Sequence, residues 1–120
     1  MDTGVTDKST EVLNLSGKGL RNLPCLVCFT NLRELHIENN ELVYLPALPV
    51  SLERIYCSNN KLKSLPPLPR YLELLDCSDN PELSTLPVYR KGLHLNIQNT
   101  GINLAVCDGM NPLLHELTRT

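Results

Sequence analysis

No segment of this sequence carries an apolar run of membrane-spanning length, and its opening MDTGVTDKST lacks the apolar stretch of a secretory leader. An excess of either charge is missing too: 11 basic against 13 acidic side chains give −2, so composition supplies neither a nucleic-acid footprint nor attraction to a membrane. Aromatic residues are scarce, with no Trp and one Phe. The single Cys-x-x-Cys, Cys25 and Cys28, lacks the second ligand pair of a zinc site and the surrounding strand-helix unit of a redox protein, so it reads as structural. These absences lead us to expect no metal, no cofactor and a reducing, cytoplasmic setting. With 120 residues there is material for one domain.

What is present is a beat. Leu13, Leu35, Ile55, Leu75 and Leu95 are spaced by 22, 20, 20 and 20 residues, the mark of a stacked array. Around each beat stands LxxLxLxxNxLxxLP, seen in full at Leu32, Leu35, Ile37, Asn40, Leu42, Leu45 and Pro46 and again at Leu52, Ile55, Cys57, Asn60, Leu62, Leu65 and Pro66. LxxLxLxx predicts a short strand with alternate side chains turned inward, and like strands stack about 4.8 Å apart into a parallel sheet. Cys57 and Cys77 then share one inward column as small hydrophobes. Asn40, Asn60 and Asn80 come after the strands where the chain turns in, a place for a structural ladder of amides bonding unpaired backbone groups.

The second half of the repeat reads LPxLP, as Leu45-Pro46-Ala47-Leu48-Pro49 and Leu65-Pro66-Pro67-Leu68-Pro69. Proline at this density excludes a helix and predicts an extended or polyproline-like back with the four leucines facing in. Repeat one is longer, with Leu26 and the sole Phe, Phe29, expected to plug the core, and it has Lys18 at the Asn position. Repeat four inserts a residue in Asn80-Pro81-Glu82-Leu83 and puts Tyr89 in the place of Leu48 and Leu68. Repeat five has Thr100 in place of Asn, and Asn111-Pro112 marks a helix start.

By these residues the chain resembles the leucine-rich repeat family. Its 20-residue LPxLP form is similar to the repeats of bacterial type III effectors and to small arrays from large DNA viruses. The expected fold class is an α/β repeat solenoid with little helix, a concave five-stranded parallel sheet and an extended convex side. We expect repeats at about 10–31, 32–51, 52–71, 72–91 and 92–105, an N-terminal cap over 1–9 and a C-terminal cap over 106–120. The resemblance implies host-pathogen interaction, and host-cell cytoplasm as the location of a viral or bacterial product. It also raises the ubiquitin ligases that follow such repeats in some effectors. Their large catalytic domain has no counterpart here, and Cys107-Asp108 does not reproduce their Cys-x-Asp motif.

Between the inward positions, side chains sort into outward columns. The central one is Asn14, His36, Tyr56, Asp76 and Asn96, flanked by Val12, Glu34, Arg54, Leu74 and His94 and then by Glu11, Arg33, Glu53, Glu73 and Leu93. Seven acids (Glu11, Glu34, Glu38, Glu53, Glu73, Asp76, Asp79) against Arg33 and Arg54 put −5 on this face, while the rest of the chain carries +3. Glu34, His36, Glu53, Arg54, Tyr56, Glu73, Leu74, Asp76 and His94 are therefore the candidate partner-binding residues, with Tyr56 and Leu74 as apolar anchors and a protein of basic surface as the expected partner. Cross-strand pairing of Glu11 with Arg33 with Glu53, and of Glu34 with Arg54, is the competing account of the charges, and it leaves Glu73, Asp76 and Asp79 without partners. Open edge strands offer a homodimer as a second reading. Catalysis is not expected: His36 and Asp76 stand two strands apart, about 10 Å, too far for a base and its orienting carboxylate.

Overall fold

A computed structural model describes residues 8–103. Each repeat contributes one three-residue strand: β1 (Val12–Asn14), β2 (Glu34–His36), β3 (Arg54–Tyr56), β4 (Leu74–Asp76) and β5 (His94–Asn96). The five form one parallel sheet in chain order. Leu13, Leu35, Ile55, Leu75 and Leu95 lie side by side across it, so the sequence beat and the sheet register are the same periodicity. Parallel neighbours need a long return path between strands, and here each repeat supplies a back of nearly constant length. The result is a solenoid of about four turns, without a helix among the described residues.

A left-handed turn behind each strand limits its length. Leu15, Ile37, Cys57 and Cys77 continue the inward alternation and are buried. Two residues later the backbone turns left-handed, at Gly17, Asn39, Asn59, Asp79 and Asn99, with φ between 54° and 65°. Only Gly, Asn and Asp visit that region at low cost, because a larger L side chain meets the carbonyl, and those three residue types fill the column. The turn points the chain into the core, where Leu42, Leu62 and Leu83 are wholly buried.

Extended segments return along the back. Leu45, Leu48, Leu65 and Leu68 pack against the core. The path closes with a backbone bond onto the start of the next strand segment: Leu32 N to Phe29 O, Leu52 N to Pro49 O, Leu72 N to Pro69 O and Leu93 N to Arg90 O, at 3.2–3.4 Å. Proline suits this place in repeats two and three because its carbonyl accepts while its ring fixes φ. Leu26 and Phe29 fill the core of the longer first repeat, and Tyr89 is buried in repeat four.

One expected orientation changes. Leu93 packs against the core rather than joining the outward column. Gly92, at φ 92°, stands where Leu32, Leu52 and Leu72 supply an inward side chain, and Leu93 takes over that burial. The expected caps over 1–9 and 106–120, including the helix start at Asn111-Pro112, fall mostly or wholly outside the described residues.

Candidate functional site

The outward face of the sheet is built from the two residues flanking each central inward leucine or isoleucine. Flanking side chains are half-buried on β2, β3 and β4 and exposed on β1 and β5, because a central strand has neighbours on both sides. The register places Val12, Glu34, Arg54, Leu74 and His94 in one row and Asn14, His36, Tyr56, Asp76 and Asn96 in the next. Of the candidate binding residues, Glu34, His36, Arg54, Tyr56, Leu74, Asp76 and His94 therefore occupy these two rows, and Glu53 and Glu73 directly precede Arg54 and Leu74.

Ion pairs organise one side of this face. Arg33 reaches Glu53 at 3.0 Å and Glu11 at 3.8 Å, and Arg54 Nε donates to Glu34 at 2.8 Å. Arg54 also lies 3.7 Å from Glu73, so Glu73 belongs to the lattice rather than standing alone. Asp76 and Asp79 have partners of another kind. Asp76 accepts from the backbone and hydroxyl of Ser78, and Asp79 accepts from Asn99 Nδ2 at 2.7 Å. Neither bond brings a positive charge to its carboxylate.

The centre is aromatic. His36 and Tyr56 stack with ring centroids 4.5 Å apart and planes 7° from parallel. His36 Nε2 donates to Glu34 at 2.8 Å, and its Nδ1 lies 3.6 Å from Glu38. Glu34 thus bridges His36 and Arg54. The hydrogen bond from His36, then that from Arg54, holds the Glu34 carboxyl below the usual carboxylate range. Where the central row is not aromatic it is Asn or Asp, and Asn14, Asp76 and Asn96 each accept a bond from the backbone N–H two residues on. Tyr56 lies between His36 and Asp76 in register, which separates the two groups that a catalytic reading would need together.

Beside the aromatic stack the face dips. Tyr56, Leu74, Asp76, His94 and Asn96 surround a shallow hollow of about 250 Å³ with Leu75 and Leu95 at its floor. Leu74 is a half-buried apolar side chain where β2 and β3 carry Glu34 and Arg54, so the lattice of charges stops at β4 and an apolar floor begins. Among the described residues, no group of three or more His, Cys, Asp or Glu side chains is placed to hold a metal ion.

Behind the face, the asparagines hold the turns. Asn60 Nδ2 donates to the carbonyls of Ile37, Cys57 and Ser58, and its Oδ1 accepts from Leu42 N. Asn80 repeats the pattern one turn later with Cys57, Cys77, Ser78 and Leu62. Asn40 does the same toward repeat one, accepting from Lys18 N and Leu20 N. Each amide therefore serves its own turn and the turn before it. That direction accommodates Lys18 at the Asn position, because Asn40 of the following repeat satisfies the Lys18 and Leu20 N–H groups. The Thr100 hydroxyl donates to Ile97 O and accepts from Ile102 N within its own repeat, and Thr100 forms an isolated parallel bridge with Asn80.

Two features go beyond what the sequence columns predict. The left-handed column carries a second, exposed ladder, Asn59 to Asn39 at 2.8 Å and Asn99 to Asp79 at 2.7 Å. The doublets Asn39-Asn40, Asn59-Asn60 and Asp79-Asn80 are its signal in the sequence. Cys25 and Cys28 are exposed, with sulfurs 3.6 Å apart, rather than part of the core, whereas Cys57 and Cys77 are buried.

One strand per repeat, a stacked inward leucine column and an asparagine at the central turns define the fold as a leucine-rich repeat solenoid. The family model for Leucine Rich repeats (2 copies) matches residues 50–91. Among solved structures, the chain is similar to a Shigella effector LRR domain, with 34% identity and a TM-score of 0.73 over 79% of this chain and 43% of that one. It is also similar to YopM from Yersinia enterocolitica WA-314, with 29% identity and a TM-score of 0.63 over 80% of this chain and 26% of that one. The chain thus spans less than half of either structure. No curated protein matches it.

Proposed function

We propose that this protein is a non-enzymatic interaction module that captures a partner of basic surface on the outward face of its sheet. Repeat folds of this kind bind proteins, and the sheet of a solenoid offers a broad extended surface for doing so. The observation that carries the reading is the change at β4. Around β1 to β3, Glu11, Glu34 and Glu53 pair with Arg33 and Arg54, while Asp76, whose carboxylate bonds Ser78 and no Lys or Arg, lines the hollow of Tyr56, Leu74 and His94. An apolar anchor site rimmed by like charge fits a partner that presents a hydrophobic side chain among Lys and Arg. Likeness to the Shigella effector LRR domain supports a protein as the partner, and the host-cell cytoplasm as the place of capture is part of the proposal.

Affinity capture followed by mass spectrometry identifies the partner, and a double variant tests the face. Glu73→Gln with Asp76→Asn removes two charges and keeps the hydrogen-bond acceptors, since Asn14 and Asn96 already fill the position of Asp76 in register. We expect capture to fall at least about tenfold, roughly 1.4 kcal/mol, with melting temperature nearly unchanged. Capture equal to the parent's removes the face from the account.

One observation favours a second reading, association through the edge. Val12 on β1, which has a strand neighbour on one side only among the described residues, is 54% exposed, and an open edge with an apolar side chain can pair with another copy. Light scattering across a concentration series separates the readings, because a monomer at all concentrations excludes the edge contact.

A further inference from the structure

Repeat one departs from the others at Cys25-Leu26-Val27-Cys28-Phe29. Leu26 and Phe29 are fully buried, and Phe29 N donates to Leu26 O at 3.0 Å, closing a turn. Anchoring the second and fifth residues of this segment leaves the first and fourth on the outer side together. Cys25 and Cys28 are both exposed, and their sulfurs stand 3.6 Å apart. The other two thiols in the described residues, Cys57 and Cys77, are buried behind the sheet and unreachable without unfolding. The protein therefore carries two classes of thiol, and the exposed class is a pre-positioned pair on a packed base.

We infer that Cys25 and Cys28 are a reversible dithiol–disulfide pair, oxidised by low-molecular-weight disulfides, on the back of the first repeat. In the forward reaction the Cys25 thiolate attacks one sulfur of RSSR, forming a mixed disulfide and expelling RS⁻, which takes up the proton that Cys25 gave up. Cys28 then attacks the Cys25 sulfur, the Cys25–SR bond breaks, and the second RS⁻ leaves and takes the Cys28 proton. Two thiols and RSSR become one protein disulfide and two RSH, so the protein is oxidised by two electrons and the small disulfide is reduced by two. Closure needs the sulfurs to approach from 3.6 Å to about 2.05 Å, a movement that side-chain rotation supplies while Leu26 and Phe29 stay packed.

The order of attack comes from the surroundings. The sulfur–sulfur hydrogen bond, in which either thiol can donate, favours one thiolate at a time, and the backbone N–H groups of Val27 and Cys28 favour that of Cys25. The thiolate is the nucleophile in exchange, so Cys25 attacks first and Cys28 resolves. No third metal-ligating side chain joins the pair among the described residues.

The full chain is equilibrated with mixtures of reduced and oxidised glutathione, quenched, alkylated and mapped by mass spectrometry. Expected is a peptide lacking two hydrogens and linking Cys25 to Cys28, rising with the oxidised fraction and reversed by dithiothreitol, while Cys57 and Cys77 stay reduced. In Cys28→Ser, glutathione should accumulate on Cys25 severalfold faster than on Cys28 in Cys25→Ser. Full alkylation of both thiols in excess oxidised glutathione would overturn the inference, as would a link from either one to Cys107. Equal rates in the two variants would overturn the assigned order.

Discussion

Asn60 binds three carbonyls and one amide from two successive turns while 6% exposed. Replacing it by Ala strands those groups in the interior, so Asn60→Ala should lower stability by about 1–3 kcal/mol, measured by urea unfolding. The buried thiols make a second residue-scale statement. Burial pushes Cys77 up to about 12 and Cys57 well above its ordinary value. Unfolded thiols ionise near pH 8.5, so above that pH the unfolded chain releases protons that the folded chain keeps, and stability falls as pH rises toward the folded values. Each such thiol contributes a slope of up to about 1.4 kcal/mol per pH unit. Cys57→Ala/Cys77→Ala should flatten the alkaline limb of a stability–pH curve, and an unchanged limb would contradict the burial. At this scale the sequence is legible wherever the template recurs: the roles of Asn60 and Cys57 come from position alone. That of Asn59 does not, because a left-handed φ depends on the turn around it and an exposed Asn also suits an ordinary loop.

At the scale of the element, three-residue strands are too short to specify themselves by propensity. They form because the central Leu or Ile is buried in β1 to β4 and half-buried in β5, and each neighbour supplies the same register. The outward charges then align by necessity, and Glu34 sits between His36 and Arg54. Its carboxyl is held low, so the stabilisation is present above the usual carboxylate pKa of about 4.3 and is lost as pH falls through the folded value. Glu34→Gln should lower stability at neutral pH and make acid unfolding less steep below about pH 4.3, so that variant and parent converge in acid. Circular dichroism across an acid titration checks this, and an identical acid limb would remove the bridge from the account. The columns are readable from period alone, but the pairing of Glu73 with Arg54 is not, because a long side chain reaches diagonally to the next strand. Leu93 escapes the period for a different reason: Gly92 deletes an inward side chain, and the neighbouring leucine fills the gap.

Across the whole molecule, each repeat leans on the next through sheet bonds, the asparagine ladder and one continuous core. A repeat alone leaves both its sides open, so the array should fold as a unit. Ile55→Ala at the centre should cost about 2–5 kcal/mol and shift a single transition seen alike by circular dichroism and by Tyr fluorescence. Separate transitions would show independent repeats. The solenoid is legible as a whole because its signal is summed over five repeats, whereas the binding face depends on which charges are neutralised, and that emerges only with the side chains placed.

The role of that face is tested most directly by hydroxyl-radical footprinting of the protein free and bound to its captured partner. Binding there protects Tyr56, Leu74 and His94 while Tyr44 and Val88, exposed elsewhere on the solenoid, keep their reactivity. Protection of Tyr44 and Val88 with Tyr56 unaltered would contradict it.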